Sequence, residues 1–122
     1  MAGQMVHFEI PAGDTSRARR FWGSLFGWDF QEYPAPSEYH MARFSETTGG
    51  AIYVPDPGDK RGTRTYFDVD DINAAVARVS ELGGEGGDPM PVPSMGWFAI
   101  CKDTEGNEFG LWQTDPTAPA PA

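Results

Sequence analysis

The chain has 122 residues, with eighteen acidic side chains against nine basic ones and a net charge of −9. That excess argues against a nucleic-acid backbone or an anionic membrane surface as partner. A single cysteine, Cys101, rules out an internal disulfide, and a chain of this length can bury enough core to hold together without one.

The first element is the run Val6–Ile10, where Val6, Phe8 and Ile10 alternate with His7 and Glu9. A period of two predicts a half-buried strand. Asp14 has the side chain of a helix N-cap, and Ala18, Phe21, Trp22 and Leu25 follow at helical spacing. Gly27 supplies the left-handed residue that ends such a helix. Three short strands are predicted at about 28–33, 39–45 and 50–54, broken by "PAPS" and "ETTGG". After the linker 55–62, "PDPGDKRG", the pattern restarts. "TRTYFDV" reads as a strand, Asp71 as a cap, and Ile72, Ala75, Val76 and Val79 as a helix face. "LGGEGGD" is the helix exit, and strands at about 84–92, 97–102 and 107–113 follow, the last two joined by "DTEGNE". Cys101, inside the apolar "GWFAICKD", reads as a buried structural thiol. The tail 116–122 alternates alanine and proline and is expected to be disordered.

The two stretches are copies of one pattern. Asp14 and Asp71 stand 57 positions apart, as do Ala18 and Ala75, Leu25 and Leu82, Gly27 and Gly84, and Gly49 and Gly106. These matches fall at caps, helix ends and turns, where geometry dictates residue type. The reading is one α+β domain over 1–115, built of two βαβββ modules in tandem, 5–54 and 63–113. Two such modules enclose a cleft with a curved mixed sheet and carry their helices outside. Alternation along the strands then points His7, Glu9, Arg64, Tyr66, Glu108, Gly110 and Trp112 inward. Phe8, Ile10, Phe67, Val69, Phe109 and Leu111 face the helices.

The segments "HFEIPAGDTSRARRFWGSLFGW", "FDVDDINAAVARVSELGGE" and "GWFAICKDTEGNEFGLWQ" resemble the vicinal oxygen chelate superfamily. It includes glyoxalase I, bleomycin resistance proteins and extradiol dioxygenases. The small bacterial glyoxalase-like subgroup is the most similar. The final segment looks like the family's closing "D-P-E-G-N" turn, with Thr104 in place of proline. The resemblance implies the cleft architecture and, for small members, a homodimer. It also implies a metal in many members, held by matching positions of the two modules. Carried over, those positions are His7 with Arg64 and Tyr53 with Gly110. Arginine has no free lone pair and glycine no side chain, and a phenol must first lose a proton with a pKa of ~10. At ~4 Å and an effective dielectric near 20, Arg64 would repel a cation's unit charge by about 4 kcal/mol. The expectation is therefore no catalytic metal and no other cofactor. A rearranged set of His7, His40 and Glu9 or Glu108 is the alternative.

Without a metal the cleft keeps distinctive side chains. Arg64 is a fixed cation that either clamps a carboxylate or phosphate or pairs with Glu9 or Asp68. His7 and Glu108 are the candidate acid/base residues, or else wall residues. Tyr53, Tyr66, Trp97 and Trp112 offer flat walls for an aromatic or planar ligand, the two tryptophans alternatively packing between modules or subunits. The candidate ligand-binding set is thus His7, Glu9, Tyr53, Arg64, Tyr66, Trp97, Glu108 and Trp112. "GEGG" at 84–87 is no phosphate loop, because it follows a helix and lacks a lysine. Two functions fit. One is a cytoplasmic, metal-free binder of a small aromatic or anionic molecule. The other is a glyoxalase-like enzyme using His7 with acid/base partners or a non-standard metal.

Overall fold

The computed structural model describes residues 2–33, 38–58 and 62–121. Each half is a βαβββ module, and the chain is α+β. It divides into two compact units. The N-terminal unit comprises residues 6–64, and the C-terminal unit residues 65–121 together with residues 2–5.

In the N-terminal unit, β1 (Met5–Pro11) leads to α1 (Thr15–Phe26), then β2 (Gln31–Glu32), β3 (Tyr39–Arg43) and β4 (Gly49–Tyr53). The strand order is β2-β3-β4-β1. β4 pairs antiparallel with β3 and parallel with β1. The helix is the crossover that a parallel pair needs. Asp14 caps α1 by accepting from the Arg17 amide at 3.0 Å, and Gly27 closes it at φ 74°. The helix-side face of the sheet carries an aromatic cluster. Phe8 stacks on Phe44 at 5.1 Å, and Trp28 lies 4.2 Å from Phe44 and 5.3 Å from Trp22. Trp22 takes the sheet-facing position of α1. Phe21 and Leu25, expected on that face, point outward and are 59% and 57% exposed.

The C-terminal unit repeats the plan with β5 (Arg64–Asp68), whose first residue belongs to the N-terminal unit, α2 (Ile72–Glu81), β6 (Met90–Val92), β7 (Gly96–Lys102) and β8 (Glu108–Thr114). Its order is β5-β8-β7-β6, with β5 and β8 parallel and the other pairs antiparallel. Asp71 caps α2 by accepting from the Ala74 amide at 3.1 Å. The core joins Ile72, Ala99, Cys101 and Leu111, with Val69, Ala75, Val76, Val79, Trp97 and Phe109 packed around them. Cys101 is 2% exposed, as its apolar surroundings predict.

Three details depart from the sequence expectations. α2 ends earlier than α1, so the left-handed glycine after it is Gly83 at φ 97°, not Gly84. The glycines that follow serve close packing. A Cβ on Gly84 would lie 2.4 Å from the Lys102 carbonyl, and one on Gly87 2.0 Å from that of Ile100. "GEGG" is thus a seam along β7. Finally, the tail is not disordered from residue 116. The Ser94 amide donates to the Ala118 carbonyl at 2.9 Å, and Ala118 is buried.

Candidate functional site

The register of β1, β3 and β4 sorts the N-terminal sheet into two faces. His7, Glu9 and Pro11 pair with Gly49, Ala51 and Tyr53, and Tyr39 pairs with Tyr53. Paired residues share a face, so His7, Glu9, Tyr39, Ala51 and Tyr53 lie together. Phe8, Ile10, His40, Ala42 and Ile52 lie on the other face, toward α1. The two histidines of the chain therefore stand on opposite sides of one sheet. That arrangement separates His40 from the alternative metal set. Among the described residues no group of three or more His, Cys, Asp or Glu side chains is placed to hold a metal ion.

The polar face carries a continuous hydrogen-bonded chain. Arg64 donates from Nη2 and Nε to Glu9 Oε1 at 2.8 and 3.2 Å. Both residues are buried, at 8% and 7% exposure. Tyr39 donates its hydroxyl proton to Glu9 Oε2 at 2.8 Å. His7 Nε2 lies 2.8 Å from the same hydroxyl oxygen, and the two rings are near parallel at 6.3 Å. Burial lowers the pKa of His7 below 6.5, partly opposed by the negative charge of Glu9. The ring is therefore neutral at neutral pH.

Of the two sequence readings of Arg64, the pairing with Glu9 is the one seen. Asp68 instead accepts from the Gln4 amide at 2.8 Å. Tyr39 was not among the sequence candidates. A usable signal existed: the turn after Arg43 pairs Arg43 with Gly49, and counting back along that hairpin sets Tyr39 opposite Tyr53.

His40 belongs to a separate group on the helix side. Its Nε2 lies 3.2 Å from Glu38 Oε1, which also accepts from Thr15 Oγ1 at 2.7 Å. These bonds hold the carboxyl of Glu38 below its usual range, Thr15 contributing most.

In the C-terminal unit, Tyr66 pairs with Gly110 and Asp68 with Trp112. Tyr66, Glu108, Gly110 and Trp112 thus share the face away from α2. The Tyr66 ring lies flat on Gly110, where an added Cβ would come within 2.1 Å of Cδ2. Trp112 covers Gly96 in the same way, a Cβ there meeting Cζ2 at 2.7 Å. Trp97 does not join them. Phe98 pairs with Trp112, so Trp97 falls on the opposite side of β7. It packs on the α2 core and donates its indole N–H to Asp115 at 3.0 Å.

Residues 5–112 match the glyoxalase-like domain family. The chain belongs to that family. A glyoxylase-like domain-containing protein of Didymella fabae is 34% identical over 119 residues, covering 89% of this chain and 92% of that one. CFP32 of Mycobacterium bovis, provisionally named a glyoxylase, is 32% identical over 115 residues. This chain spans 44% of CFP32's length, and the match covers 88% of this chain. Among solved structures, methylmalonyl-CoA epimerase from Mycobacterium tuberculosis superposes with a TM-score of 0.73 at 16% identity, covering 93% of this chain and 89% of that one. A glyoxalase/bleomycin resistance protein/dioxygenase superfamily member from Vibrio splendidus gives 0.68 at 16%, covering 94% and 100%. At these identities the structures establish the shared fold.

The positions that the resemblance implies for a metal carry other contacts within their own units. Arg64 is committed to Glu9, Gly110 lies under a tyrosine ring, and Tyr53 is a buried phenol.

Proposed function

We propose that this glyoxalase-like domain binds a small, planar, uncharged organic molecule on the polar face of its N-terminal sheet, without a divalent metal. The supporting observation is the chain from Arg64 through Glu9 and Tyr39 to His7. It ties two of the positions implied by the resemblance, His7 and Arg64, into one hydrogen-bonded wall with the Arg64 charge paired. Because Glu9 already neutralises Arg64, the pair offers little net charge to an anion. An aromatic ligand fits better, held by ring contacts with Tyr39 and Tyr53 and oriented by His7. The homodimer implied by the resemblance is kept, and light scattering at micromolar concentration tests it.

The test joins elemental analysis with native mass spectrometry of protein purified without chelator. The binder reading expects substoichiometric metal and a small molecule recovered chemically unchanged. One tightly held divalent ion per chain would overturn it.

A second reading is enzymatic, and the lowered pKa of His7 favours it. A neutral imidazole held beside a phenol and a carboxylate is a residue type suited to general acid/base work. Its mark would be turnover that survives chelation and fails in His7→Gln.

A further inference from the structure

The outer surface of α1 is apolar where a solvent-facing helix is normally polar. Phe21, Leu25 and Phe26 are 59%, 57% and 57% exposed. The two rings are firmly backed. Phe21 lies edge-on to Trp22 at 5.3 Å, and Trp22 stacks on Phe26 at 6.0 Å and on Trp28 at 5.3 Å. They are the outer layer of the aromatic cluster, a surface whose shape the fold already sets. The module does not need them there. Fifty-seven residues on, the position matching Phe21 is Arg78, exposed and 3.4 Å from Glu81.

The ends of this surface carry opposite charge. Arg17 and Arg20 are exposed at the start of α1. Asp14 is the acid beside them, so that end keeps a net positive charge. The last turn of α1 holds no basic residue and is the negative pole of the helix. Asp29 and Glu32, both exposed, follow it. The placement is also symmetric. Phe21 and Leu25 stand two positions either side of Gly23, Arg20 and Phe26 three, and Arg17 and Asp29 six. A two-fold axis at the level of Gly23 sets each member of these pairs against the other, because an isologous contact brings i to j and j to i.

We infer that the outer face of α1 is the homodimer interface, packed antiparallel against α1 of a second copy. Phe21 then covers the partner's Leu25, Arg20 lies over the ring of the partner's Phe26, and Arg17 meets the partner's Asp29. The inference rests on the homodimer kept above and gives it a surface. Three large side chains a little over half exposed present roughly 300 Å² of apolar surface per copy. Even with the arginine stems added, that is below the about 800 Å² per partner of a standard interface. The dimer should therefore dissociate on dilution.

The experiment is sedimentation equilibrium of the full chain from low to high micromolar concentration. The parent protein should pass from monomer to dimer across that range. Leu25→Glu should abolish the dimer. Leu82→Glu, at the matching position after α2 and 60% exposed, should leave it intact. Arg17→Glu and Asp29→Arg should each raise the dissociation constant about tenfold, because each reverses two symmetric contacts at once. Both together in one chain should restore the parent value. The positions changed are all exposed, so the far-ultraviolet circular dichroism should not alter. A parent protein that stays monomeric throughout overturns the inference together with the homodimer. A dimer that survives Leu25→Glu overturns the inference alone, as does a double charge variant no tighter than its single ones. Should Leu25→Glu fail to fold, the charge-exchange series still decides.

Discussion

Cutting the buried ion pair from one side should reveal an interaction that its net contribution conceals. At 2.8 Å and an effective dielectric near 20, the gross attraction of Arg64 and Glu9 is about 6 kcal/mol. Removing two ions from water costs several kcal/mol each. The terms are of similar size, so the intact pair contributes little beyond an apolar pair of the same volume. Arg64→Met disturbs that balance by keeping the cost of burying Glu9 and removing the nearest compensating charge. Loss of one partner from a buried pair costs about 3–5 kcal/mol. For a domain of this size each kcal/mol lowers Tm by roughly 3–5 °C, so a fall of roughly 10–20 °C is expected. The double variant Glu9→Met with Arg64→Met should recover most of that loss. Thermal and urea unfolding of the four proteins of the cycle measure both statements. If Arg64→Met stays within about 1 kcal/mol of the parent protein, the pair is not the buried, desolvated contact described, and the charge argument behind the proposed ligand class fails with it.

Other changes have equally definite outcomes. Gly110→Ala sets a methyl group where the Tyr66 ring lies, and should destabilise by about 1–3 kcal/mol; in a Tyr66→Ala background the same substitution should cost much less. Asp71→Ala removes the acceptor for the Ala74 amide and should cost about 1 kcal/mol, read from urea unfolding. The depressed pKa of His7 makes the folded state resist protonation. Its stabilising effect is complete above the unfolded value of 6.5 and is lost as pH falls from there through the lower folded value. Melting curves from pH 7.5 to 5 should show His7→Gln losing less stability on acidification than the parent protein; equal slopes would contradict the burial of the ring.

Much of the architecture was legible because the sequence repeats itself. The caps at Asp14 and Asp71, the alternation in "VHFEI" and "TRTYFDV", and the 57-residue spacing all reflect local geometry. The face assignments of His7, Glu9, Tyr66 and Gly110 followed from alternation and hold within each unit. What alternation cannot supply is the alignment of one strand against another. Trp97 was grouped with Trp112 on residue type, yet one step of register separates Trp97 from Phe98, the true partner of Trp112. A slip of one position moves a side chain to the opposite face. The same gap hid Tyr39, whose role exists only once β3 is set against β4. α1 shows a related failure of periodicity. Phe21, Trp22 and Leu25 all suit an apolar stripe, but the stack of Trp22 on Trp28 selects the rotation, leaving Phe21 and Leu25 outward.

The metal positions show where composition and geometry divide the work. Residue type alone removes Arg64 and Gly110 as ligands, because one lacks a lone pair and the other a side chain. It does not say what those positions do instead. Arg64 is a charge partner because Glu9 lies within 2.8 Å on the same buried face. Gly110 is glycine because a ring occupies the volume of its missing Cβ. A ligand side chain placed at 64 or at 110 would therefore meet an obstacle within its own unit. Tyr66 would have to leave the surface of Gly110, and Glu9 would need another partner for its buried charge. A variant carrying only Arg64→His and Gly110→Glu should gain no stoichiometric zinc, measured by elemental analysis after dialysis. Tight zinc binding by that variant would show that the wall yields more readily than its packing implies.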